Sequence, residues 1–109
     1  MKLLSRIEEI VLLSIWKLGP HAYGLTIYRE VVRATRKDWL VGAIYAPLSR
    51  LHKNGYIRIK SGESAPERGG KRRIYYQLTP RGRAALAEIQ EMNAHIWRDI
   101  PFLKGEKTS

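Results

Sequence analysis

The chain has 109 residues, 44% of them hydrophobic, with Lys and Arg numbering 20 against 10 Asp and Glu, for a formal charge of +10. One domain with one core fits this length, burying roughly 60–70% of the surface of the unfolded chain, and a second domain has no room. The charge points to a polyanionic partner, nucleic acid first, while the absence of cysteine excludes disulfides, thiolate metal sites and a thiol nucleophile.

Met1-Lys2-Leu3-Leu4 carries one short apolar pair before Ser5-Arg6 and Glu8-Glu9, too short and too soon charged for a signal peptide. The longest apolar run, Ile10 to Trp16, contains Ser14 and falls far short of the roughly 20 residues of a spanning helix. The expectation is a soluble, cytoplasmic protein with no membrane partner.

Ser5-Arg6-Ile7-Glu8 has the form of a capping box, so a first helix is expected from there to about Leu18, where Gly19-Pro20 closes it. Ile7, Ile10, Val11, Ile15 and Leu18 form its stripe, widened by Leu12 and Trp16, which reads as core rather than ligand site. His21 to Gly24 is a connector. Leu25 to Ala34 returns to helical period with Ile27, Val31 and Ala34 on one face, and a polar turn follows at Arg36, Lys37 and Asp38. Val41 to Lys53 reads as a third helix whose Ile44, Leu48 and Leu51 face the core while Tyr45, Ser49, Arg50 and Lys53 stay polar. Asn54-Gly55 is its stop.

Two alternating runs follow, Tyr56 to Lys60 and Arg73 to Leu78. Ile57 and Ile59 fall on one face against Arg58 and Lys60, and Ile74, Tyr76 and Leu78 alternate with Arg73, Tyr75 and Gln77, so the aliphatics are expected to seal the helical core. The loop from Ser61 to Arg72 can bury nothing. It is either an ordinary solvated loop or one whose Arg68, Lys71, Arg72 and Arg73 lie along a minor groove, the reading favoured because that groove's negative potential rewards inserted arginines. Thr79 and Pro80 are an N-cap and first position for a last helix, expected to run to Pro101. Leu86, Ile89, Asn93, Ile96 and Ile100 are spaced as a short heptad seam, fit for docking against a second copy and against the first helix.

Charge is unevenly placed. Residues 56–78 carry six basic and two acidic side chains, while residues 79–109 carry five and four, so the hairpin is the densest basic element and the last helix is nearly neutral. His21, His52 and His95 lie on three segments with no metal-ligand spacing and no neighbouring acid. Gly69-Gly70 lacks the strand-to-helix context of a phosphate-cradling loop. No enzyme activity, catalytic residue, metal or cofactor is expected.

The fold class expected is α+β, mainly α: a winged helix-turn-helix of three helices and a two-stranded wing over residues 1–78, a C-terminal dimerisation helix over 79–103, and a disordered tail over 104–109. Glu9-Ile10-Val11-Leu12-Leu13, Tyr23-Gly24 with Ile27, Gly42-Ala43-Ile44-Tyr45 with Leu48 and Arg50-Leu51, Asn54-Gly55-Tyr56-Ile57, and Arg72 through Gly82 together resemble the PadR-like bacterial transcriptional regulators in their short form. The likeness spans roughly Ile7 to Met92 and rests on the order and spacing of these pieces. Two departures stand out. Val41 sits where the family often has a Ser-type cap, and proline falls at 47 rather than one residue earlier, so the first turns of the third helix are expected to be set differently.

The resemblance implies a homodimeric repressor on a pseudo-palindromic duplex operator, relieved by a small aromatic, phenolic or hydrophobic effector. In such a fold Tyr45, Ser49 and Arg50 are the candidates for the major groove, with Arg50 able to bridge a guanine or else hold a phosphate, and Ala43 is a further DNA-binding candidate. Lys37, Lys53, Arg68, Lys71, Arg72 and Arg73 are the candidates for phosphates and the minor groove. Tyr45 has a bland alternative as a half-buried aromatic between the second and third helices. Trp97, with Trp16, Met92, Asn93 and Ile96 beside it, is a candidate effector platform or plain interface packing. The rival function is a nonspecific nucleic-acid-binding or protein-interaction winged helix without effector.

Overall fold

The structure, a computed structural model, describes residues 3–64, 69–70 and 72–100. Helices α1 (Arg6–Leu18), α2 (Gly24–Thr35) and α3 (Tyr45–Lys53) precede an antiparallel hairpin, β1 (Ile57–Ser64) and β2 (Arg72–Leu78), and α4 (Pro80–Trp97) closes the chain. The winged helix-turn-helix expected from the sequence is what forms.

The capping box at α1 is real: the Ser5 hydroxyl accepts from the Glu8 N–H at 3.2 Å and the Glu8 carboxylate from the Ser5 N–H at 2.8 Å. Val11, Leu12 and Ile15 enter the core with Ile27 and Val31 of α2 and Leu48 and Leu51 of α3. Two expected core members lie elsewhere. Trp16 is 45% exposed, because it sits about 100° round the helix from Ile15, on the side where α4 passes. Ala34 is likewise exposed, at the edge of the α2 core face.

The connector after α1 does more than connect. The Ala22 carbonyl accepts from the Tyr76 N–H at 2.9 Å and Tyr23 bridges Tyr75, adding a one-residue third strand to the wing. The turn after α2 is fixed by side chains: the Tyr28 hydroxyl donates to the Trp39 carbonyl at 2.7 Å, and the Trp39 indole N–H to the Thr35 hydroxyl at 2.9 Å.

Residues Val41–Ile44 form a 3-10 turn and α3 proper begins at Tyr45, later than the continuous helix expected from Val41. Pro47 explains the break. It has no N–H to give the Ala43 carbonyl, so it is tolerated only in the first turn of a helix that starts afresh. Asn54-Gly55 stops α3 as expected, with Gly55 at φ +83 and the Tyr56 N–H returning to the Leu51 carbonyl at 2.9 Å.

Ile57 pairs with Leu78, Ile59 with Tyr76 and Ser61 with Ile74, so all three pairs share one face of the hairpin. Only its base seals the core. Ile57 is buried and Leu78 and Tyr76 are half-buried, while Ile59 and Ile74 remain exposed because the hairpin runs past the helical bundle.

The Thr79 hydroxyl caps α4, accepting from the Gly82 N–H at 3.0 Å and donating to the Gly55 carbonyl at 2.7 Å. Arg81 donates to the Asn54 carbonyl at 3.0 Å and lies over the Tyr56 ring. Asn54-Gly55-Tyr56 and Thr79 to Gly82 are thus two halves of one joint. The helix ends at Trp97 rather than running to Pro101, and Ile100 stands in the turn that follows, as a residue before proline is pushed out of helical conformation.

Candidate nucleic-acid interface

On α3 the buried side chains Pro47, Leu48 and Leu51 fix which face is outward. At 100° per residue the outward ridge is Ala46, Ser49 and Lys53, with Tyr45 and Arg50 on its two flanks. Ala46 was not among the sequence candidates. Its position i, i+3, i+7 with Ser49 and Lys53 is the signal that would have found it.

Both flanking residues are tied to the domain. Tyr45 is half exposed and its hydroxyl lies against Gly24 so closely that a β-carbon there would collide with it. The bland reading of Tyr45, an aromatic sealing α3 against α2, therefore matches its contacts. Arg50 reaches α1, where its Nε donates to Glu8 at 2.6 Å. Burial pushes the Glu8 carboxyl up, but the hydrogen bonds from Arg50 and Ser5 outweigh it and hold the group below its ordinary value.

Ala43 is half-buried in the 3-10 turn before α3, and Lys37 lines a groove between α1 and α2 with Arg6, Ile10 and Trp39 rather than standing on the α3 ridge. In that groove wall Glu30 is gripped by Arg33 at 2.6 Å and Lys17 at 2.8 Å, which together hold its carboxyl down to about 2.

The hairpin brings Arg58, Lys60 and Arg72 to exposed positions. Arg73 instead lies over the Tyr23 ring at 4.1 Å, beside the edge-on contact of Tyr23 with Tyr75. Arg68 and Lys71 lie outside the described residues. Arg58 and Lys60 were read only as the outer face of the strand. They sit on the same wing as Arg72 and belong with it.

The expected dimerisation residues divide. Leu86 and Ile89, with Ala85, are buried against the chain's own core. Asn93 and Met92 are half-buried near Leu3 and Leu4, and Ile96 and Trp97 are 62% and 49% exposed on the overhanging end of the helix. The candidate effector set is partly brought together in one chain: Trp16 lines a groove with Asn93, and Met92 lines a neighbouring one with Asn93, while Trp16 also lies under Arg83 at 5.5 Å, about 21 Å along α4 from Trp97.

Among the described residues no cluster could hold a metal ion and no helix is long and apolar enough to cross a membrane.

Several solved structures share the architecture. A PadR-like transcription factor from Bacteroides fragilis is 23% identical over 89% of this chain and 88% of its own, with a TM-score of 0.70. A PadR-like regulator from Bacillus cereus gives 22% identity over 91% of both chains at 0.71, and a PadR family regulator from Clostridium difficile 27% over 96% and 100% at 0.61. No curated protein matches the chain. The family model of the transcriptional regulator PadR-like family matches residues 12–88, from the middle of α1 through most of α4's buried half. Because that match spans the core helices, α3, the wing and the Thr79 joint, this chain belongs to the PadR-like family of DNA-binding transcriptional regulators, and not to an enzyme family.

Proposed function

We propose that two copies of this chain form a dimer through α4 and bind a pseudo-palindromic DNA operator as a repressor in the cytoplasm. Each α3 enters a major groove with Ala46, Ser49 and Lys53 foremost, and Arg58, Lys60 and Arg72 of the wing contact phosphates, with the wing arginines reaching toward the minor groove. The observation that carries this reading is the pairing of a polar, outward α3 ridge with a basic hairpin on one domain. The two α3 helices of such a dimer meet half-sites about one helical turn, roughly 34 Å, apart.

The dimer follows from α4. Its buried face, Gly82, Ala85, Leu86 and Ile89, continues through Asn93 to Ile96, and Ile96 and Trp97 at its far end are left largely exposed. A small aromatic effector would lodge there, among Met92, Asn93, Ile96 and Trp97, where two copies meet. Trp16, which lines a groove with Asn93 of the same chain, borders that site.

Selection from a randomised duplex library tests the whole reading. Enrichment of an inverted repeat is expected. Uniform retention of all sequences would instead indicate a nonspecific nucleic-acid-binding module, and no retention a protein-interaction module. Tryptophan fluorescence titrated with a panel of planar aromatics tests the effector, and a flat response across the panel would leave Trp97 as interface packing.

A further inference from the structure

Glu8 lies on α1, remote in sequence from everything so far assigned to DNA, yet both of its carboxylate oxygens are committed. Oε1 accepts the Ser5 N–H at 2.8 Å, which anchors the side chain in the first turn of α1, and Oε2 accepts Arg50 Nε at 2.6 Å. The glutamate is nearly covered, with 12% of its side chain exposed, whereas Arg50 is half exposed. Among the described residues no hydrogen bond ends on either Nη of Arg50. An arginine held by Nε keeps the N–H donors of its two Nη groups, and the planar guanidinium fixes their directions once Nε is held. On α3 Arg50 flanks the outward ridge of Ala46, Ser49 and Lys53, where a helix lying in the major groove passes a sugar-phosphate strand.

We infer that Glu8 is a positioning residue for DNA binding: anchored in the α1 cap, it holds Arg50 so that the free edge of the guanidinium is presented, already ordered, to a backbone phosphate. This rests on the α3 reading above. The side-chain entropy that a free arginine would lose on meeting phosphate is spent in folding instead, so the contact costs less at the moment of binding. Arg50 then supplies register and affinity, while Ser49 and its neighbours read sequence.

The sign of one substitution separates this from general electrostatics. Glu8→Gln removes a negative charge from a DNA-binding protein, and charge alone would tighten binding. Positioning predicts weaker binding, by about tenfold, the value of one charge-assisted hydrogen bond. The probe is the duplex that the wild-type chain enriches from a random library, with affinity measured across a salt series. Arg50→Ala should weaken binding similarly and reduce the salt slope by about 0.9. In E8Q/R50A the glutamine should add nothing further, because Glu8 acts only through Arg50. Ser5→Ala removes the cap hydroxyl but leaves the pair, so it should lower thermal stability and leave affinity unchanged. If E8Q does not fold, Arg50→Lys, which keeps the charge and loses the Nε donor, carries the same expected loss. Wild-type chain that retains no duplex overturns the α3 reading itself. Wild-type binding with E8Q at or above wild-type affinity, or additive losses in the double variant, overturns the role of Glu8 alone.

Discussion

Gly82→Ala should destabilise the protein although alanine is the better helix former. At the third position of α4, alanine gains about 1 kcal/mol over glycine in an ordinary helix. Here its β-carbon would collide with the Tyr56 carbonyl oxygen and stand 3.0 Å from Leu78 Cδ1. That carbonyl cannot yield freely, because it accepts the Thr79 N–H at 3.1 Å within the joint between α3's turn and α4. Overpacking costs roughly 1–3 kcal/mol and a lost hydrogen bond about 1 more, so the net loss is about 2 kcal/mol. For a domain of this size that is a fall in melting temperature of roughly 8–16 °C. Gly42→Ala is the control: nothing lies within 4 Å of its would-be β-carbon, and a gain of about 0.4–1 kcal/mol is expected from the stiffened unfolded chain. The two variants should be melted at one fixed protein concentration, since association shifts the midpoint. Equal or greater stability of G82A would refute the claim that glycine is there for close approach.

Ile96→Asp should leave each chain folded, within about 0.5 kcal/mol for a surface change, but convert the dimer to monomer in analytical ultracentrifugation and weaken binding to an inverted repeat. A dimer that survives would remove α4's overhang from the interface. Lys53→Ala should lower affinity for all duplexes alike and reduce the slope of log affinity against log salt by about 0.9, whereas Ser49→Ala should change the enriched sequence instead. Acid should destabilise the fold through Glu8 and Glu30. Both carboxyls release their proton more readily in the folded chain, Glu30 at about 2 against an ordinary 4.5, so the unfolded chain binds the added protons. The stabilisation from Glu30 is complete above about pH 4.5 and is lost as pH falls toward 2, and that from Glu8 is lost in the same direction. Melting wild type and Glu30→Gln from pH 7 to 2.5 should show the gap between them closing at the acid end.

What was legible in the sequence was local chemistry. Ser5 and Glu8, Thr79 and Pro80, and Asn54-Gly55 name helix ends because cap and turn residues act within four positions of themselves, and all three ends form as read. Alternation gave the shared face of Ile57, Ile59, Tyr76 and Leu78, but not the irregular pairing between Ser61 and Ser64 that carries β1 past the expected loop start. What failed to show was the direction of a side chain once a second element passed over it. Trp16 fitted a helical stripe but lies on the α4 side of α1. Leu86 and Ile89 fitted a seam for both a second copy and α1, and spacing could not say that their own chain would bury them, while Arg50 fitted a polar face but is claimed by Glu8 from 42 residues away. Each of these depends on a tertiary partner that no window of sequence contains. Tyr23 escaped for a related reason: a single-residue bridge has no period to detect.

The arrangement also explains why a short, three-turn helix can serve as a reading element. Nine residues are too few to hold helical form or direction by themselves in water. Leu48 and Leu51 fix the depth of α3 in the core, but apolar contact tolerates sliding and rotation. Tyr45 over Gly24 on one flank and Arg50 on Glu8 on the other act at the two edges of the outward ridge, so rotating α3 in either direction must break one of them. One tether is anchored on α2 and the other on α1, the helix whose Trp16 side faces α4. Because α1 carries both the Glu8 tether and the face toward α4, in the proposed dimer a change in how α4 meets a second copy would reach α3 through one helix rather than through a loop. Loosening the Glu8 tether should therefore blur the choice of sequence as well as the strength of binding, a broadening that sequencing the E8Q-selected pool would reveal.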